Sequence, residues 1–357
     1  MHLETSHRRL CLLSSPLGFG LGSFLFDFLD LLDIPLPPFF PSPTLNSLLY
    51  PHHTHPRTHT LTSKFCVPGV QATTPTHTHY SFNMKFLCLC GAYGSSDKFQ
   101  VQLAPLVNEL ASDNTAELFF INGPLQAYPP EGFEEYFGQA PYYRFIEAGK
   151  VEGAGGDVLD RIRQFPEGAT AEDQMRELMG YGTRVGSISS IGSTPESSED
   201  GSNFGDYSYS NASAQKAMEY LYDIMEREGP FDGIIGYSEG ATVAATLLLH
   251  EQRRYEREGR LPMMKCALFF AGWPPMTPEL DGIVLADETD LTITIPTCHI
   301  IGSLDPYLAG SVALYNICDM DTAILFDHAK GHTLPRHKDT VKELGDVIRQ
   351  MVSNFCL

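Results

Sequence analysis

The chain has 357 residues, 43% of them hydrophobic, with 24 Lys plus Arg against 44 Asp plus Glu and a formal charge of −20. That length and apolar content suffice for one large or two small packed domains, and the acidic balance excludes nucleic-acid binders, which need a basic face. No uncharged apolar run reaches the roughly 18 residues of a spanning helix, and the eight cysteines show no metal-type pairing, so buried free thiols in a reducing cytoplasm are expected, with no metal and no cofactor.

Residues 1–83 repeat Pro, Thr and His (His52, His53, His55, His59, His77, His79) without helical or strand period. Such a composition buries too little apolar surface to offset chain entropy. The expectation is a disordered low-complexity tail, or an upstream segment mis-assigned to the chain, because Met84 stands directly before the first clear strand. Cys11–Phe26 faintly resembles a signal peptide, but Pro16 and several glycines interrupt it and no convincing cleavage site follows, so export is not expected. The tail has four basic and four acidic residues, which leaves the whole −20 to residues 84–357.

From Met84 onward, short apolar runs alternate with amphipathic stretches, the pattern of a mostly parallel sheet with helices on both faces. Strands are predicted at 85–90, 117–122, 232–236, 265–270, 297–302 and 323–327. Helices are predicted at 97–111, 212–228, 239–257, 308–317 and 337–352; the last places Val341, Leu344, Ile348 and Met351 on one stripe. Residues 123–182, rich in Pro and aromatic groups, read either as a cap over a pocket or as ordinary packing against the sheet. Residues 183–211, rich in Ser, Gly, Glu and Asp, read as a mobile loop.

The run Phe231-Asp232-Gly233-Ile234-Ile235-Gly236-Tyr237-Ser238-Glu239-Gly240-Ala241 is a strand, then Gly-x-Ser-x-Gly, then a helix. The five-residue pattern alone is weak in a glycine-rich chain, but this context is that of a nucleophile elbow, where the serine sits on a sharp strand-to-helix turn. A serine hydroxyl is a poor nucleophile until a base takes its proton, so a histidine and a carboxylate must come from other strand ends. His332, in the loop after the strand 323–327, is the expected base, with His328 as its rival in the same loop. Asp305, in the turn after the strand 297–302, is the expected orienting carboxylate. The order Ser238, Asp305, His332 is that of the α/β-hydrolase fold. The expected oxyanion donors are the N–H of Glu239 and, from the loop Gly91-Ala92-Tyr93, that of Ala92. Tyr93, Tyr237 and Trp273 are expected to line the substrate pocket.

With these residues in view, residues 84–354 resemble the fungal serine hydrolase family. The resemblance rests on Met84-Lys85-Phe86-Leu87-Cys88-Leu89, Gln102-Leu103-Ala104-Pro105-Leu106, Gly229 to Ser238, Asp305-Pro306 and Gly331-His332. It implies an α/β-hydrolase core and hydrolysis of acyl esters or thioesters. In fungi, similar members release acyl chains in polyketide pathways, with the acyl carrier domain of a polyketide synthase as candidate partner. Two positions depart from the family: Cys90 stands where a histidine is usual, and Glu239 where glutamine is common. A Glu239 carboxylate would oppose the charge of the oxyanion unless it turned away. The alternatives are a carboxylesterase on small free esters and a non-catalytic binding protein of the same fold, the latter opposed by the complete Ser, His and Asp set.

Overall fold

In a computed structural model, the structure describes residues 83–129, 134–147, 165–179 and 211–356. The tail expected over 1–83 and the loop expected over 183–211 lie almost wholly outside the described residues.

The apolar runs become six parallel strands: β1 (Met84–Leu89), β2 (Ala116–Ile121), β5 (Gly233–Tyr237), β6 (Cys266–Phe270), β7 (Thr297–Ile301) and β8 (Ala323–Asp327), in the order β2-β1-β5-β6-β7-β8. All their limits fall within one residue of the predicted ones. A two-stranded antiparallel pair, β3 (Leu125–Gln126) and β4 (Tyr143–Arg144), lies outside this sheet.

Five helices occupy the predicted stretches: α1 (Ser96–Ala111), α4 (Asn211–Glu228), α5 (Glu239–Glu258), α6 (Leu308–Tyr315) and α7 (Lys338–Phe355). The helix α6 stops two residues before its expected end, in a tightened turn where Ile317 N–H donates to Leu314 O at 3.2 Å and Cys318 N–H to Tyr315 O at 3.0 Å. The helix α7 runs three residues beyond its expected end, and the buried Cys356 that follows sets its thiol against Lys265 O at 3.9 Å. Two short helices, α2 (Glu134–Phe137) and α3 (Ala171–Leu178), lie in the aromatic-rich segment.

The connection from β1 to β2 runs one way across the sheet, and those from β2 through β8 run the other way. Right-handed crossovers therefore put α1 on one face and α4, α5 and α6 on the opposite one. Side-chain contacts agree: Arg349 of α7 pairs with Glu109 of α1 at 2.9 Å, while Tyr222 of α4 lies 2.9 Å from His250 of α5. This is the α/β-hydrolase fold. The direction of successive connections reverses between the parallel neighbours β1 and β5, the switch point at whose carboxyl ends open α/β sheets bind ligands. Among the described residues, Cys88, Cys90, Cys266, Cys298, Cys318 and Cys356 are buried free thiols, and no helix is long and apolar enough to cross a membrane.

Candidate active site

The buried residues Ile234 and Ile235 fix β5 in the sheet, and the chain then turns abruptly into α5. At that turn Ser238 has φ 53 and ψ −119, a conformation that a side-chain-bearing residue rarely adopts and that costs on the order of 1–3 kcal/mol. The turn is held by Ser238 N–H donating to Phe270 O at 2.9 Å and by Ala241 N–H donating to Ser238 O at 2.9 Å. Both motif glycines are sterically required. A Cβ on Gly236 would lie 2.4 Å from the Ala241 Cα, and one on Gly240 would lie 2.3 Å from the Leu89 carbonyl oxygen. The close passage at Gly240 brings the first turn of α5 against the end of β1.

His332 and Asp305 reach Ser238 from neighbouring strand ends. His332 Nε2 lies 3.2 Å from Ser238 Oγ, and its Nδ1 lies 2.7 Å from Asp305 Oδ2. With Nδ1–H donating to the carboxylate, Nε2 is left as the acceptor for the serine hydroxyl. Asp305 is buried, and its other oxygen accepts the Tyr307 N–H at 2.8 Å. The two loops are locked together, because Leu304 N–H donates to Lys330 O at 3.0 Å and a Cβ on Gly302 would lie 2.0 Å from that same oxygen. The rival His328 is buried, and burial holds its imidazole below the usual histidine range.

The loop after β1 closes as a turn, with Gly94 N–H donating to Gly91 O at 3.0 Å and Tyr93 at φ 58. Gly91 abuts the elbow: a Cβ there would be 3.3 Å from the Ser238 Cβ. Across from this loop stands Glu239, whose N–H belongs to the first turn of α5, where helix N–H groups lack intrahelical acceptors. The Glu239 carboxylate is taken up elsewhere. Its Oε2 accepts from Arg144 Nε at 2.8 Å and Nη2 at 2.7 Å, and its Oε1 accepts from Phe145 N–H at 2.8 Å. Cys90, directly after β1, is a buried thiol pushed up to about 12 by burial and by the Glu239 charge.

On the other side of His332 stands an aromatic wall. The Tyr307 ring lies 5.2 Å from the imidazole, and Phe165 lies 5.7 Å from Tyr307 and 6.0 Å from Trp273. The indole rests on α6, where a Cβ on Gly310 would come within 2.3 Å of it. The helix α3 holds this wall in place: Met175 and Leu178 belong to one apolar cluster with Val312 and Ala313 of α6, against which Phe165 and Trp273 pack.

The structure thus brings Ser238, His332 and Asp305 together, sets Glu239 and the Ala92 loop beside the serine, and places Trp273 in the wall. Tyr93 and Tyr237 differ from plain pocket-lining groups. Tyr93 is buried with Phe137 4.9 Å away, and the Tyr237 hydroxyl donates to His332 O at 3.1 Å, tethering the histidine loop to the nucleophile strand. Of the segment's aromatic residues, Tyr142 and Phe145 are buried in packing, Tyr128 is exposed, and Phe133 lies outside the described residues. Arg144, Phe165 and Tyr307 were not singled out in the sequence; the one available signal was a lone arginine among Tyr142, Tyr143 and Phe145.

The serine hydrolase (FSH1) family matches residues 80–344. The Esterase FUS5 of Gibberella fujikuroi is 28% identical, covering 76% of this chain and 91% of its own length. Hydrolase phiM of a fungal species is 33% identical over 41% of this chain and 70% of its own. The solved Bacillus cereus carboxylesterase aligns at 18% identity and a TM-score of 0.35, covering 76% of this chain and 89% of that one. With the family match spanning most of the chain, this protein belongs to the serine hydrolase (FSH1) family and is a hydrolase of esterase type.

Proposed function

We propose that the protein cleaves acyl thioesters, releasing an acyl or polyketide chain in secondary metabolism, with Ser238 as nucleophile, His332 as general base and Asp305 as its orienting carboxylate. The observation that carries this reading is the continuous path from Ser238 Oγ to His332 Nε2 at 3.2 Å and from His332 Nδ1 to Asp305 Oδ2 at 2.7 Å, on an elbow that the backbone itself strains.

In this reading Ser238 Oγ gives its proton to His332 Nε2 as it attacks the acyl carbonyl carbon. The N–H groups of Glu239 and Ala92 receive the oxyanion, and Asp305 stabilises the imidazolium. His332 then returns the proton to the departing thiol or alcohol, which leaves Ser238 acylated. Water enters by the same route, activated by His332, and the acid departs. No cofactor takes part.

The described parts of residues 123–182 act as a cap: they bring Phe165 to Trp273 and Tyr307, and the wall so formed receives the acyl chain. The fungal relatives Esterase FUS5 and Hydrolase phiM support a role in secondary metabolism. A carrier domain is the proposed donor of the acyl group, and the cytoplasm the proposed site of action.

The test is kcat/KM for matched thioesters and oxygen esters of increasing acyl length. Burial contributes about 0.8 kcal/mol per methylene, so four further carbons gain about 3 kcal/mol, or two orders of magnitude. The expected result is a rise with length and faster thioesters. A flat or falling series with oxygen esters preferred would make the protein a carboxylesterase on small free esters.

A further inference from the structure

We propose that Arg144 is a positioning residue for the oxyanion hole, which cancels the charge of Glu239 and ties the two backbone donors into one rigid unit. The inference rests on the reading of Ser238 as nucleophile with Glu239 and Ala92 as donors.

The difficulty it addresses lies in a single residue. The backbone of Glu239 offers an N–H to a developing negative charge, while its side chain carries a negative charge of its own. That carboxylate is buried, where neighbouring charges act on one another far more strongly than in water. Left unpaired, it would work against the oxyanion and against its own burial.

Arg144 meets this from both sides. Two of its nitrogens converge on one carboxylate oxygen at 2.8 and 2.7 Å, and the N–H of the next residue, Phe145, holds the other oxygen at 2.8 Å. The same guanidinium reaches the opposite wall of the crevice. Its Nη1 lies 3.4 Å from the Tyr93 hydroxyl, and its carbon lies 5.3 Å from the centre of the Tyr93 ring. Tyr93 directly follows Ala92 in the turn, and Tyr143 N–H donates to Gly94 O at 3.0 Å. Residues 143–145 therefore grip both donor-bearing segments at once.

Arg144 is itself fixed. It is 7% exposed, it pairs with Leu125 across the short ladder, and a Cβ on Gly123 would come within 2.3 Å of its carbonyl oxygen. A buried ion pair serving stability alone can often be replaced by neutral residues without loss. The double hold on Glu239 and Tyr93 assigns this one to catalysis instead.

The experiment compares wild type, R144M, R144M/E239Q and R144K as full chains with para-nitrophenyl esters, with thermal melts for folding and S238A alongside. A loss confined to the transition state lowers kcat and leaves KM. R144M is expected to lose about 100-fold in kcat, the scale of one lost oxyanion donor, with KM changed less than about threefold. R144M/E239Q removes the uncompensated charge while keeping an acceptor for Phe145 N–H. It should recover about tenfold of that loss, the remainder reflecting the missing hold on Tyr93. If R144M does not fold, R144K decides: retained charge without the planar fork should lower kcat about tenfold at constant KM, and wild-type kcat would overturn the inference. A double variant no faster than a folded R144M, or losses that appear in KM alone, would also overturn it. Wild-type turnover in S238A would overturn the reading of the site itself, and this inference with it; an inactive S238A beside a fully active R144M would overturn only the inference.

Discussion

The elbow and the aromatic wall face each other across His332 and are held by different forces. Around Ser238 the contacts are between backbones: Gly236, Gly240 and Gly302 sit where a single added carbon would strike main-chain atoms of another segment. Around Phe165 and Trp273 the contacts are between side chains. Apolar packing joins α3 to α6, and Arg176 of α3 bonds to Asp173 at 2.8 Å, Asp287 at 2.6 Å and Glu288 at 2.8 Å. A geometry enforced by the main chain admits few substitutions, which suits atoms that must meet within tenths of an ångström. One built from side chains can be reshaped residue by residue, which suits the acyl-selecting role proposed for this wall.

The largest effect that would test this contrast lies in the histidine loop. His332→Ala should lower kcat by about four orders of magnitude, as loss of a triad member does, while His328→Ala should leave kcat within about threefold. Steady-state rates decide it, and the reverse ranking would exchange the two roles.

How legible the two regions were in the sequence follows from the same contrast. The elbow announces itself because its constraints are local: the glycines two before and two after Ser238 lie in one run of the chain, between an apolar strand and a helix. The strands after which Asp305 and His332 occur are regular apolar runs, so both residues could be placed at strand ends by counting alone. The clamp and the wall left no such trace. Arg144 meets Glu239 across 95 positions and Arg176 meets Glu288 across 112, in segments too irregular for any period to reveal. The short strands β3 and β4 were missed for that reason, as was α3, whose eight residues give too few turns to establish a helical stripe. The opposition expected from the Glu239 carboxylate was a sound inference from charge, and its resolution depended on a partner that proximity in sequence could not supply.

Gly240→Ala should show how rigid the elbow is. The new Cβ would lie within 2.3 Å of Leu89 O and 2.5 Å of Cys90 O, both main-chain atoms, so α5 must shift. The expected loss is about 3 kcal/mol of stability on denaturant unfolding, with kcat falling as well. An unchanged midpoint and rate would mean that the elbow tolerates movement after all.

Trp273→Ala tests the wall. Fold and acetyl-ester turnover should persist, while the preference for long over short acyl groups falls by about 10- to 100-fold. A parallel loss on every ester would assign Trp273 to the chemistry rather than to selection.

The smallest expected effect concerns the sheet beneath both regions. Burial holds His299 at about 3, between Phe269 and Tyr315, with Thr297 Oγ1 3.1 Å from its Nε2. The unfolded chain takes up this proton below about 6.5 and the folded one does not until about 3, so stability is full above 6.5 and falls as pH drops between these values. The slope is on the order of 1 kcal/mol per pH unit from this residue. Unfolding measured at pH 7 and pH 5 should show a smaller acid loss in His299→Gln than in wild type; equal losses would mean that another group carries the dependence.

The most direct measurement of the central claim is covalent labelling with a fluorophosphonate, read by intact mass and peptide mapping. The account predicts one adduct per chain, on Ser238, formed far more slowly in His332→Ala and absent in Ser238→Ala. A stoichiometric adduct on any other residue, or hydrolysis at the wild-type rate by Ser238→Ala, would contradict it.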